Sequence, residues 1–241
     1  MKTYSLSQHF LELKFRIQII LFFFIITTFV CYYFSQDIYY IILEPLSNLD
    51  INQNKRIIYT NLTEAFFTYL KLSIFAGFLF TMPVIALQIY KFITPGLYKR
   101  EKIIAKWLLS CLPILFYCGC LFAFYCLIPN AWNFFIGFES SNNNGMQIIL
   151  EAKISEYLNL TLQLMIAFGI SFELPIVLLV LHLLNLISIY GLKKFRRIFV
   201  VVTFIVSGIL TPPDVLSQIM LAIPIILLYE VSINICKFIE K

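Results

Sequence analysis

Leu158–Leu184 reads LNLTLQLMIAFGISFELPIVLLVLHLL, 27 residues with one formal charge, Glu173. As a helix rising ~1.5 Å per residue, this run would be roughly 40 Å long, enough to cross the ~30 Å hydrocarbon core of a bilayer. Lipid offers no hydrogen bonds, so a chain of this kind satisfies its backbone inside helices. Five more charge-free runs lie on either side: Ile17–Phe34, Leu72–Tyr90, Trp107–Ile128, Ile198–Leu210 and Val215–Tyr229. The last two hold 13 and 15 residues. They are expected to stand near-upright, thin the bilayer or shelter behind other helices. Composition agrees: 61% of the 241 residues are hydrophobic and 13% are charged, against roughly 25% charged in soluble domains. The reading is an all-α, polytopic integral membrane protein of six transmembrane helices in one domain, 1–241. A soluble enzyme is excluded.

Fourteen of the 18 Lys and Arg residues fall on one side of these spans, including Lys14, Arg16, Lys91, Lys102, Lys106, Lys193, Lys194, Arg196, Arg197 and Lys237. Only Lys55, Arg56, Lys71 and Lys153 fall on the other. The positive-inside rule then puts both termini on the cytoplasmic or matrix side. The opposite loops carry Asp37, Glu44, Asp50, Glu64, Glu139, Glu151 and Glu156. Two of them are long. Residues 35–66 contain the turn formers Pro45, Asn48 and Asp50, and 129–157 contain SSNNNG at 140–145. Glu151–Tyr157 is expected to lie as a short amphipathic segment on the membrane surface. The first apolar run is too long for a signal peptide, and no small-residue cleavage site follows it. The N-terminus does not resemble a transit sequence either, so in an organelle the chain is expected to be made in place. No internal repeat is legible.

The six cysteines form no CxxC pair and read as small buried hydrophobes. His9 and His182 lie in separate segments, so no metal site and no cofactor are expected. Three features exceed what an anchor needs. Glu173 sits inside an apolar run beside Ser171 and Pro175, and an intramembrane carboxylate is costly enough to read as functional. Its bland alternative is a protonated or hydrogen-bonded group that packs helices. Glu12 lies on the amphipathic stretch entering the first span. Glu101 ends the loop FITPGLYKRE at 92–101. Either of these two read alone is a solvated surface charge or a local salt bridge.

Taken together the motifs resemble the TatC family, the multispanning core of the twin-arginine protein translocase. They run in order along the chain: HFLEL at 9–13, EPL at 44–46, PVI at 83–85, QIYKFITPGLYKRE at 88–101, AFGISFELP at 167–175 and LTPPDVLSQ at 210–218. The resemblance implies a protein that recognises Arg-Arg signal peptides. With single-span TatA/TatB-type partners it moves folded proteins across a membrane, driven by the proton gradient. It implies a homo- or hetero-oligomer in the lipid bilayer, no enzymatic activity and no nucleic-acid partner. The family's signal-peptide-binding positions fall on Glu12 and Glu101, with Phe92 beside the second. Glu173 becomes an intramembrane polar site, and Pro45, Pro95, Pro212, Pro213 and Asp214 are motif positions. Two carboxylates can each take a guanidinium in a bidentate pair. Where the family commonly has Arg shortly after the first Glu, this chain has Lys14, which keeps the charge and loses the fork. The LTPPD stretch resembles proteobacterial and mitochondrial members. With an AT-rich composition, it points to a mitochondrial inner membrane, then a bacterial inner membrane, then a plastid thylakoid. The rival functions are a proton-coupled transporter of a small solute using Glu173, and a structural assembly subunit.

Overall fold

The computed structural model describes residues 6–49, 63–96, 99–136, 153–184, 186–210 and 215–240. Among the described residues there is no β-strand, and nearly all are helical. Helix α1 spans Leu6–Tyr33, α2 Ser35–Leu49 and α3 Glu64–Ile93. Helix α4 runs Lys99–Phe122 and passes through a π-helical turn, Ala123–Leu127, into α5, Ile128–Ile136. Then come α6 (Ile154–Phe172), α7 (Leu174–Leu183), α8 (Ile189–Leu210) and α9 (Val215–Glu240). Among the described residues, five stretches are long and apolar enough to cross a membrane: Phe10–Tyr33, Glu64–Gly96, Lys102–Asn133, Ile154–Leu183 and Gln218–Phe238. Helix α8 stands where the fifth run was expected, its first turns carrying Lys193, Lys194, Arg196 and Arg197.

The helices pack antiparallel through small residues and ring stacks. Helix α1 lies against α3, where Thr27 Oγ1 meets Thr81 Oγ1 at 2.9 Å and the Gly77 carbonyl at 3.1 Å. A Cβ on Gly77 would collide with Thr28, so only glycine allows that approach. Helix α4 crosses α6 where Gly119 faces the Phe168 carbonyl and Gly169 faces the Phe116 ring. Between α8 and α9 the rings of Phe199 and Tyr229 stack with centroids 4.0 Å apart. At the same end Arg196 pairs with Glu230 at 2.7 Å.

Three local expectations change. The region 35–66 is not wholly a loop, because α2 occupies Ser35–Leu49. Pro45 lies within that helix, and its side chain is outside the described residues. Glu151 and Ala152 are outside the described residues, but Ile154–Tyr157 is the first turn of α6 and not a surface segment. Ile154 and Tyr157 are buried there, Tyr157 donating to the Ile42 carbonyl of α2 at 2.9 Å. The sixth run is not short, since α9 continues past Glu230 to Glu240 and is 26 residues long. At ~1.5 Å per residue it is roughly 39 Å long. The charge that stopped the sequence reading, Glu230, is answered by Arg196 and need not end the helix.

Candidate functional site

The basic end gathers the start of α1, the end of α3 and the start of α4. Helix α3 closes in a 3₁₀ turn, Thr94–Gly96. Thr94 bonds the Tyr90 carbonyl through both its N–H and its hydroxyl. Pro95 has no N–H, so it cannot continue the ladder onto the carbonyl four residues back, at Lys91. That carbonyl accepts Arg16 Nη2 from α1 at 2.9 Å. Arg16 also donates Nη1 to Gln88 Oε1 at 3.3 Å and Nε to Glu12 Oε1 at 3.2 Å. Arg16 Nη2 closes the ion pair with the same Glu12 oxygen. One guanidinium therefore ties Glu12 to the end of α3. Both partners are largely shielded, Arg16 17% and Glu12 28% exposed, so the pair is stronger than a solvated surface bridge.

Phe92 is half-buried, next to the carbonyl that Arg16 holds, and Pro95 is exposed in the turn. Glu101 lies in the first turn of α4, at this same end, with its side chain outside the described residues. Lys14 is exposed. The sequence reading overlooked Arg16 and Gln88. The spacing of Glu12 and Arg16, four residues apart on one helix face, was the available signal. Gln88 was legible as the polar residue nearest the end of an apolar run.

Glu173 is the single residue between α6 and α7. Pro175 supplies the reason for the break: it removes one donor, and its ring crowds the Ser171 carbonyl. Glu173 N–H turns back to the Ile170 carbonyl at 3.1 Å, and its carbonyl accepts from Val177 at 3.0 Å. The side chain is 8% exposed, and neither carboxyl oxygen has a hydrogen-bond partner among the described residues. Its polar surroundings come from the backbone at Phe116 on α4. A groove of about 1000 Å³ opens among α1, α3, α6, α8 and α9. Lys71, Asn159, Gln163 and Ser171 set polar groups along it, Lys71 donating to Asn159 at 2.9 Å. Glu173 is not among the lining residues and faces the α4 side instead. Pro212, Pro213 and Asp214 lie outside the described residues.

Comparison with known proteins gives one answer. The family model described as Sec-independent protein translocase protein (TatC) matches residues 8–224. The chain is 56% identical to the Sec-independent protein translocase protein TatC of Rickettsia prowazekii, over 100% of this chain and 95% of that one. It is 37% identical to a tatC-like protein of Reclinomonas americana, over 97% and 87% of the two chains. Among solved structures, a crystal structure of the twin arginine translocase receptor TatC superposes with a TM-score of 0.83 at 34% identity. That likeness covers 97% of this chain and 100% of the other.

Proposed function

Because this chain belongs to the TatC family, the membrane-integral core of the twin-arginine translocase and not an enzyme, we propose that its basic end receives the Arg-Arg motif of signal peptides through Glu12 and Glu101, with Phe92 packing beside them. The observation that carries this reading is the Arg16–Glu12 pair. Glu12 already accepts two N–H groups of a guanidinium in a partly shielded site. That is the chemistry an incoming arginine requires. Family membership decides against the small-solute transporter that Glu173 alone would have allowed.

The charge split of fourteen to four supports placing this end, and both termini, on the cytoplasmic side. The single-span TatA/TatB-type partners are assigned to α8. Its Val201, Ile205 and Ile209 are exposed, while Ser207 is buried and a Cβ on Gly208 would meet, among the described residues, the Gln218 side chain of α9. The assembly is a homo- or hetero-oligomer that moves folded precursors at the expense of the proton gradient. The sequence favoured a mitochondrial inner membrane, with a bacterial one second. The 56% identity to a Rickettsia protein over the whole chain now weighs for the bacterial inner membrane.

The test is photocrosslinking of a twin-arginine precursor to membranes carrying the parent, Glu12→Ala, Glu12→Gln or Glu101→Ala. Each alanine variant should bind the Arg-Arg peptide less tightly by about 1.5–3 kcal/mol, the worth of a charged hydrogen bond. An Arg-Arg→Lys-Lys precursor should discriminate parent from variants poorly. If both alanine variants crosslink as the parent does, the assignment is wrong.

A further inference from the structure

Between α3 and α4, toward the basic end, lie two adjoining hollows of about 310 and 380 Å³. They share Tyr90, Lys106 and Ser110. The mouth, toward the basic end, is formed by Tyr90, Lys102, Ile103, Lys106 and Trp107. The deeper part is formed by Pro83, Ala86, Leu87, Leu109 and Pro113. The sequence explains the opening. Pro83 and Pro113 lie inside the two facing helices at the far end of the hollow, and Ala86 at its floor has almost no side chain. Lys102, Lys106, Ser110 and Pro113 recur at helical spacing, so one face of α4 runs from cations to a hydroxyl to an apolar end.

We propose that this hollow seats an anionic glycerophospholipid of the adjacent leaflet, its phosphate between Lys102 and Lys106 and an acyl chain along Leu87, Leu109 and Pro113. Charge complementarity selects the occupant. The two lysines are one turn apart, and among the described residues no carboxylate lines either hollow and neither lysine has an ion-pair partner. Trp107 is 72% exposed at the mouth beside Tyr90, amphipathic rings at the depth where headgroups meet hydrocarbon. Leu87 and Ile103 are exposed as well, so the hollow opens sideways to lipid and not only to water. A soluble anion would satisfy the lysines and leave the apolar part empty. A neutral lipid would fill the apolar part and leave two cations unanswered. A bound lipid would also brace the ends of α3 and α4 that carry Phe92 and Glu101, although the lipid site stands whether or not those residues bind signal peptides.

The experiment is native mass spectrometry of the full chain, delipidated in neutral detergent and titrated with phosphatidylglycerol or phosphatidylcholine of identical chains. The parent should retain phosphatidylglycerol roughly twenty-five-fold more strongly, since each of the two lysines contributes about a factor of five near an anionic lipid. The double variant K102Q/K106Q should lose that preference and K102R/K106R should keep it. Ser110→Trp, which fills the hollow, should lower retention of both lipids. Thermal melts of each variant in the same detergent establish that it is folded. Three results would overturn the proposal: no preference in the parent, preference retained in the folded glutamine variant, or displacement by sn-glycerol 3-phosphate as effective as by the whole lipid.

Discussion

Pro83 and Pro95 each deprive a carbonyl four residues back of its helical donor, at Leu79 and Lys91. In both cases a side chain from a neighbouring helix takes the vacancy: Tyr117 Oη from α4 at 2.9 Å, and Arg16 Nη2 from α1 at 2.9 Å. Two motif prolines thus become inter-helix fasteners. Tyr117→Phe should cost about 1 kcal/mol, the net worth of one hydrogen bond, read as a lowered thermal midpoint in detergent. An unchanged midpoint would mean that the Leu79 carbonyl finds another donor. Glu173 is the opposite case, a buried carboxyl with no hydrogen-bond partner among the described residues and only the Phe116 backbone near it. Burying such a group costs free energy, and we propose that this carboxyl serves transport and not stability. Glu173→Leu should therefore melt no lower than the parent while transporting a twin-arginine precursor poorly. Glu173→Gln, which keeps the polar group, should be the milder defect in transport. Leu transporting normally while Gln fails would instead implicate proton exchange at this residue.

At the scale of elements, the crossing of α4 and α6 depends on Gly119. A Cβ there would stand 2.5 Å from the Phe168 carbonyl oxygen and 2.9 Å from Gly169 Cα, both backbone atoms that cannot swing aside. Gly119→Ala should destabilise the fold by about 1–3 kcal/mol, as overpacking does. Gly96, whose Cβ would meet nothing within 4 Å among the described residues, is the matched control and should tolerate alanine. Equal melting of the two variants would show that α4 and α6 separate at little cost. Helix identity was legible wherever an apolar run lacked charge. Helix α2 was not, because Pro45, Asn48 and Asp50 are turn formers by local preference. Its helix is held by tertiary contacts instead: Ile42 is buried, and its carbonyl accepts Tyr157 of α6. The end of α9 was missed for a related reason. Glu230 reads as a boundary in sequence, and only the neighbouring α8 supplies Arg196.

For the whole molecule, the antiparallel arrangement brings Arg16, Lys91, Lys102 and Lys106 to one end, with Arg196 near the start of α8. Helix α7 ends there as well, where Leu184 packs in one cluster with Tyr90 and Ile93. Single cysteines placed at the two termini of an otherwise cysteine-free chain should both be labelled from the cytoplasmic side by a membrane-impermeant maleimide. Labelling of either terminus from the opposite side would refute the proposed orientation. The exposed faces of α1 and α8, including Phe22, Phe29, Ile198 and Val201, are what a bilayer or a partner helix would cover. Crosslinks from positions 199–209 to no other polypeptide, in membranes holding all components, would count against docking at α8.

By itself the sequence determined the solvent, the fold class and the family. Long charge-free runs admit no stable aqueous form, charge counts along the chain are additive, and motifs are strings of neighbours. It also named Glu12, Phe92, Pro95 and Glu173 as residues of interest without saying what they touch. Only the tertiary structure decided that Glu12 is shared with Arg16, that Arg16 reaches a carbonyl 75 residues away, and that Glu173 turns toward α4 instead of the large groove. Those facts depend on which helices become neighbours. That choice is made by glycine contacts at Gly77, Gly119 and Gly169 and by carbonyls that prolines leave unbonded. Their consequences fall on a different helix, far along the chain, where no local pattern records them.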